Sequence, residues 1–295
     1  MLKKVYETKY PHLSARDMFP VSPEGGEGYD SVTYEIWDQK GIAEFVAAYA
    51  GDIPRADVSS RSVTSPIKRM ALAFGMTIDE IKKAKLTNTP LSTRKADAVH
   101  KGHEETLNTT AFYGNAALNL QGLFSHPSIQ NGAAPTLDWD DSVTPATVDE
   151  ILACFAAGIE HVRTATNGCE IVNAIRVPAS LFAYLALRRM SDTDSTTLLG
   201  WLKPQLSALG VTKIEAYNEG DTCTMLAGST VSTRKVITYY NDTPETLELF
   251  VPEDLNFLEP QKDGLEEVTI GTMTTGGLVV YAPLGIYLQW ITTPA

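Results

Sequence analysis

An α+β fold is what the sequence predicts, and three observations predict it. Amphipathic helical stretches and short β-rich runs interleave irregularly along the chain. From Lys213 to the end the pattern is mostly strand. No repeat of 20–50 residues imposes a solenoid or propeller. The 295 residues correspond to about two domains at roughly 150 residues each, and 43% hydrophobic residues are enough for a packed core.

Residues 1–36 read as an arm, broken by Pro11, Pro20 and Pro23 and softened by Gly25-Gly26-Glu27-Gly28. Trp37, Ile42, Phe45, Val46 and Tyr49 recur at spacings of three and four, which predicts a helix over 37–50, closed by Gly51-Asp52-Ile53-Pro54. Arg55 to Gly75 carries β-type residues and charge without a deep apolar run, and reads as an extended hairpin. Thr77-Ile78-Asp79-Glu80 is a capping box that opens the next helix. Thr87-Asn88-Thr89-Pro90 interrupts it, and a long helix follows from about Ser92 to Tyr113, stopped by Gly114. Its apolar stripe, Ala96, Val99, His103, Leu107 and Ala111, is thin, as in a helix crossing a flat surface.

After a turn-rich link at Gly122–Pro127, Thr144-Pro145 predicts the N-cap and first position of a core helix with Val148, Ile151, Leu152, Phe155, Ile159 and Val162 on one face. Then come a strand at Ile171–Val177, a helix at Pro178–Met190 and helical sequence around Thr196–Leu209. Strands are predicted at Lys213–Tyr217, Arg234–Tyr240, Thr246–Val251, Leu265–Ile270 and Leu278–Ile291.

Charge narrows the function. With 24 Lys+Arg against 36 Asp+Glu the net charge is −12, which argues against a general nucleic-acid binder. Residues 1–114 are balanced, and residues 115–295 hold the whole deficit. Residues 55–101 are locally basic, ten basic side chains to four acidic. Such a segment can bind another molecule or another copy of the same chain. Three scattered cysteines, Cys154, Cys169 and Cys223, make no disulfide framework. The N-terminus has no signal-peptide pattern, and the longest apolar stretch, about 15 residues with Pro283 inside it, is too short to span a bilayer. These features predict a soluble protein of a reducing compartment.

No convergent catalytic set stands out. His100-Lys101-Gly102-His103-Glu104 is not the His-Glu-x-x-His zinc pattern, and His103 falls in the apolar stripe, where a packed or hydrogen-bonded histidine is the plainer reading. Asp138-Trp139-Asp140-Asp141-Ser142 starts like a calcium loop, but Val143 stands where that loop needs glycine and Asp149 where it needs glutamate. Walker loops, dinucleotide fingerprints and Gly-x-Ser-x-Gly elbows are absent from the sequence. No cofactor, metal or catalytic residue is assigned.

Several passages, in order, resemble the major capsid proteins of tailed bacteriophages, with the Hong Kong 97-type fold. Ala50-Gly51-Asp52-Ile53-Pro54-Arg55 resembles that family's entry to its extended loop. Thr64-Ser65-Pro66-Ile67 through Phe74-Gly75-Met76-Thr77-Ile78-Asp79-Glu80-Ile81 resembles the loop's return into the spine helix. Pro90-Leu91, Lys95-Ala96, Glu104 and Phe112-Tyr113-Gly114-Asn115 are similar to the later spine helix leading to Gly122-Leu123-Phe124. Phe250-Val251-Pro252 and Gly276–Leu284 are similar to the closing strands. The resemblance covers most of residues 37–295.

It implies an N-terminal arm (1–36), a helix leading to the loop (37–50), the extended loop (51–76), and the spine helix with the start of the peripheral domain (77–130). An axial domain (131–245) and the peripheral domain's return strands (246–295) complete the layout. It further implies a structural, non-enzymatic subunit that assembles into pentamers and hexamers of an icosahedral head around packaged DNA. The virion is then its location and the host bacterial cytoplasm its place of synthesis. Its partners are other copies of itself, with DNA enclosed but not specifically bound and no membrane. Scaffolding, portal and decoration proteins remain open as partners. Some members of the family cross-link a lysine to a neighbour's asparagine, but no local pattern carries that chemistry onto a residue here. Residues 1–36 are too short for the family's long scaffolding segment.

Within this reading the basic loop is the expected intersubunit interface, with Arg55, Arg61, Lys68 and Arg69 meeting a neighbour's acidic residues. Val58, Val63 and Ile67 supply the apolar contacts that would otherwise stay wet. Two other readings stand beside it: a bacterial nanocompartment (encapsulin-like) shell protein, and a metal-dependent enzyme using His100, His103 and Glu104.

Overall fold

The structure is a computed structural model, and it describes residues 10–24, 26, 28–41, 55–87, 91–135, 139, 146–190, 195–223 and 234–292. The first elements are helix α1 (Ala15–Met18), strands β1 (Val21–Ser22), β2 (Ser31–Lys40), β3 (Asp57–Pro66) and β4 (Lys68–Thr77), then helices α2 (Ile78–Thr87) and α3 (Leu91–Tyr113). Strand β5 (Gln130–Ala133), helix α4 (Val148–Ala165), strand β6 (Ala174–Pro178), and helices α5 (Ala179–Leu187) and α6 (Leu198–Ala208) follow. The remainder is strand: β7 (Lys213–Tyr217), β8 (Arg234–Tyr240), β9 (Leu247–Phe250), β10 (Glu253–Phe257), β11 (Gln261–Asp263), β12 (Glu266–Thr275), β13 (Gly277–Val280) and β14 (Ile286–Thr292).

The largest sheet has the order β5-β14-β8-β6-β7. Its central strands β8 and β6 are buried on both faces, which is why β8 runs apolar on both sides from Val236 to Tyr240 apart from Thr238. Val236 and Tyr240 face a core shared with α1, the end of α3 and Phe124. Ile237 and Tyr239 face a second core under α4, α5 and α6. At about 1.5–3 kcal/mol for each large side chain buried, these two clusters supply much of the driving force for folding. A second sheet is built on β12, with β10 and β11 along one side and β4 along the other. α3 crosses this sheet on a thin stripe of Val99, His103 and Leu107, each buried. A small sheet, β1-β9-β13, and a two-stranded ribbon, β2-β3, complete the molecule. Among the described residues no helix is long and apolar enough to cross a membrane.

Several expectations need correction. Residues 10–22 are not a free arm. Met18 and Phe19 are buried in the first core, and β1 pairs in parallel with β9. The backbone N–H of Ala15 donates to Asn108 at 2.9 Å, and the Tyr240 hydroxyl donates to the Met18 carbonyl at 3.0 Å. Pro20 follows the C-cap of the short helix and Pro23 follows β1, and neither frees the segment. Trp37 belongs to no helix, since residues 31–40 form a strand along β3; residues 42–50 lie outside the described residues. Residues 55–75 do not close on themselves as a hairpin. β3 pairs with β2, and β4 leaves it at Ile67 to run along the whole of β12.

Helix α4 begins at Val148, three residues beyond the expected first position Pro145, because Thr147 and not Thr144 is the N-cap and forms a complete capping box with Glu150. The predicted final strand is two strands, separated by a short 3₁₀ turn at Pro283–Gly285. The second of these, β14, lies in the large sheet between β5 and β8, away from the other strands of 246–280. Trp139 is fully buried against Phe155, while the aspartates around it lie outside the described residues.

Candidate intersubunit interface

The β2-β3 ribbon is built by alternation. Val32, Tyr34 and Ile36 point to one face, opposite Ser65, Val63 and Arg61, and are half-buried near the root. Thr33, Glu35 and Trp37 point to the other, opposite Thr64, Ser62 and Ser60, and all are exposed. Towards the tip both strands are exposed on both faces, from Trp37 to Lys40 and from Asp57 to Ser62. A two-stranded ribbon is marginal alone. Here it is fixed at its root. Tyr34 packs edge-on against Tyr281 with ring centroids 4.8 Å apart, and its hydroxyl donates to the Val280 carbonyl at 3.3 Å. The Ser65 hydroxyl donates to the Gly276 carbonyl at 3.2 Å, and the Ile67 N–H to the Asp30 carbonyl at 2.8 Å.

Electrostatics follow the same division between root and tip. Burial raises the Tyr34 phenol above its ordinary pKa, with the Arg61 charge opposing. Burial, followed by the Glu248 carboxylate that its hydroxyl bonds at 3.2 Å, raises Tyr281. Both phenols therefore stay neutral donors at physiological pH.

The expected interface residues do not form one cluster. Arg61 lies on the ribbon and Arg55 just before β3, both exposed. Lys68 and Arg69 stand at the start of β4, in a different sheet. Arg69 already has a carboxylate of its own chain, Glu253, at 3.7 Å. Val58 is 52% exposed, and Val63 is half-buried beside Tyr34. Ile67 is the correction: it is buried within its own subunit, against Phe250 and Val279, so it needs no neighbour to keep it dry. Trp37 is the residue the sequence reading missed as an interface candidate. It is 62% exposed and diagonal to Val58 on the outward face. The signal was present as period-two alternation through Val32-Thr33-Tyr34-Glu35-Ile36-Trp37, which the helical spacing beyond it obscured.

A complementary surface lies on the β12 sheet. Residues 253–267 carry Glu253, Asp254, Glu259, Asp263, Glu266 and Glu267 against the single cation Lys262. Glu259, Asp263 and Glu266 are exposed. The three residues considered for metal chemistry diverge. His103 is buried with Nδ1 3.0 Å from the Val99 carbonyl, His100 is exposed, and Glu104 accepts from Arg16 at 2.9 Å.

Residues 41–289 match the family model described as major capsid protein. No curated protein sequence matches the chain significantly. Among solved structures the chain is similar to the capsid of Myoviridae phage XM1, at 14% identity and a TM-score of 0.82, covering 98% of this chain and 95% of that one. A structure from Mycobacterium phage Adephagia is similar at 14% identity and a TM-score of 0.64, covering 99% and 96%. A virus-like particle from Pyrococcus furiosus is similar at 15% identity and a TM-score of 0.53, covering 92% and 90%. At such identities these structures speak to the fold alone.

Proposed function

The chain belongs to the major capsid protein family, with the Hong Kong 97-type α+β fold, and from that premise we propose that its copies assemble as pentamers and hexamers into an icosahedral phage head around packaged DNA. Its role is structural, as a subunit of a bacteriophage capsid. The observation that carries the assembly reading is the β2-β3 ribbon. It projects with both faces and both edges exposed at its tip, a poor arrangement for a lone subunit and a useful one for an intersubunit clamp. In this reading Arg55 and Arg61 meet acidic side chains of a neighbour, of which the 253–267 surface is the richest source. Lys68 and Arg69 hold the root, and Val58 and Val63 add apolar contact. The subunit is made in the host bacterial cytoplasm. An acidic subunit encloses DNA without gripping it, because counterion release rewards cationic surfaces and not anionic ones.

The nanocompartment reading shares the fold, and none of these likenesses favours it, since each speaks to the fold alone. Electron microscopy separates the two: DNA-filled heads are expected, and small uniform shells with protein cargo would reverse the choice. Since Arg69 has an internal partner, the clamp is tested on the outward pair. Arg55→Glu with Arg61→Glu should leave the melting temperature unchanged and prevent shell closure. Normal particles from that variant would refute the clamp.

A further inference from the structure

Residues 12–22 touch most of the molecule with little secondary structure of their own, a helix of four residues and a strand of two. Their partners form a receptor across the seam between the large sheet and the sheets of β9 and β12. Asn108 of α3 accepts from the Ala15 N–H at 2.9 Å and donates to Glu219 at 2.7 Å. Glu219 also accepts from the Ser14 hydroxyl at 2.7 Å. Arg16 bridges Glu104 of α3 and Asp254 of β10, at 2.9 Å to each. On the large sheet, the buried Arg176 of β6 donates to the Asp17 carbonyl at 2.9 Å, next to the Tyr240 hydroxyl on the Met18 carbonyl. From β9 and just beyond it, the Leu249 N–H donates to the Pro20 carbonyl at 2.8 Å and the Val251 N–H to the Ser22 carbonyl at 3.0 Å. Met18 and Phe19 fill the core beneath.

We propose that residues 12–22 are a strap that opens and closes as one unit on an otherwise folded subunit, and that the closed strap locks α3 and β10 to the large sheet in the one shape that assembly needs. The receptor elements are held without the strap: α3 by its stripe on the β12 sheet, β6 between β7 and β8, and β9 by β13. The strap has no fold without them. Its fastenings are ions, carbonyls and an amide that water can satisfy once it lifts, and only Met18 and Phe19 are large apolar side chains to expose. A segment so fastened belongs to the low-stability end of a structure, where opening is local. Closed symmetric assemblies repeat one subunit shape at every junction, so a copy with a loose seam fits none of them. The assembly role rests on the shell-subunit reading; the opening itself does not.

Hydrogen exchange on the full-length protein reads the strap from its receptor, because the Leu249 and Val251 amides are bonded to strap carbonyls. In the Ser14→Ala/Arg16→Ala variant the amides of Ala15, Leu249 and Val251 should exchange roughly 10- to 100-fold faster than in the parent. Amides of α3 and β8 should keep the parent's rates, and the assembled fraction, read by sedimentation, should fall. Arg16→Lys alone, which keeps the charge, should show neither change. Acceleration of all these amides together would mean that the segment is part of one cooperative core, and unchanged reporter amides would mean that Ser14 and Arg16 do not fasten it; either overturns the strap. A variant with the reporters released that assembles like the parent would overturn the assembly role and leave the shell reading standing. A parent that stays monomeric would overturn that reading and the assembly role with it, whatever the exchange shows.

Discussion

Gly158, on the inner face of α4, shows how tightly single residues determine this core. A Cβ placed there would stand 2.3 Å from the ring of Tyr239, which is fully buried and donates to Gln289 at 2.8 Å. The ring has nowhere to go, because Gln289 in turn donates to the Cys154 carbonyl at 3.1 Å on the same helix. Alanine would ordinarily favour a helix by about 1 kcal/mol over glycine. Overpacking costs about 1–3 kcal/mol, and here it also threatens a buried hydrogen-bonded pair. The clash should win: Gly158→Ala is expected to lower the urea midpoint and the melting temperature. A variant as stable as the parent would mean that the Tyr239 ring can shift. Nothing in the sequence marked this glycine, since its constraint comes from strands β8 and β14, about 80 and 130 residues away.

At the scale of elements, α4 depends on its first turn. The Glu150 carboxylate accepts from the Thr147 N–H at 2.7 Å, and the Thr147 hydroxyl accepts from the Glu150 N–H at 3.3 Å. The same Thr147 backbone bond, then its hydroxyl, holds the Glu150 pKa below the usual carboxylate range. Thr147→Ala should cost about 0.5–2 kcal/mol, read as a fall in melting temperature of a few degrees without loss of fold. The sequence reading takes Thr144-Pro145 as the start of this helix and passes over Thr147-x-x-Glu150, the box that the structure uses. The reciprocal hydrogen bonds decide it. The equivalent box at Thr77 and Glu80 was legible, since no competing start stood beside it, and both of its bonds form at 3.3 Å.

For the whole molecule, the charge division becomes spatial. The exposed cations Arg55 and Arg61, at a ribbon that also carries Glu35, Asp38 and Asp57, and the acidic 253–267 surface occupy different parts of one chain, so a neighbouring copy can bring them together. Single rim ion pairs contribute about 0–1 kcal/mol each, but a shell repeats them at every junction. Purified protein at high concentration and moderate salt should therefore scatter light as particles far heavier than the 32.1 kDa chain. Raising the salt should slow their formation, because exposed charges lose sight of each other beyond a Debye length of about 10 Å at 0.1 M. A monodisperse monomer across that range would count against self-assembly.

What the sequence alone determined is the part written in local periodicity. The long thin-striped α3 and the apolar face of α4 follow from spacing, because each buries its pattern against one neighbouring surface, and β8 is legible as a β-type run because it lies between two cores. The order of passages along the chain also carried the family resemblance. The tertiary structure decided the pairings. β4 could have returned along β3, yet it runs with β12, and β14 leaves its sequence neighbours for β8. It also decided that Ile67, Met18 and Phe19 are core and that Trp37 is surface. Strand propensity says only that a backbone is extended. Which edge it joins, and so which side chains meet water, depends on hydrogen-bond partners and packed faces brought together from as much as 246 residues away.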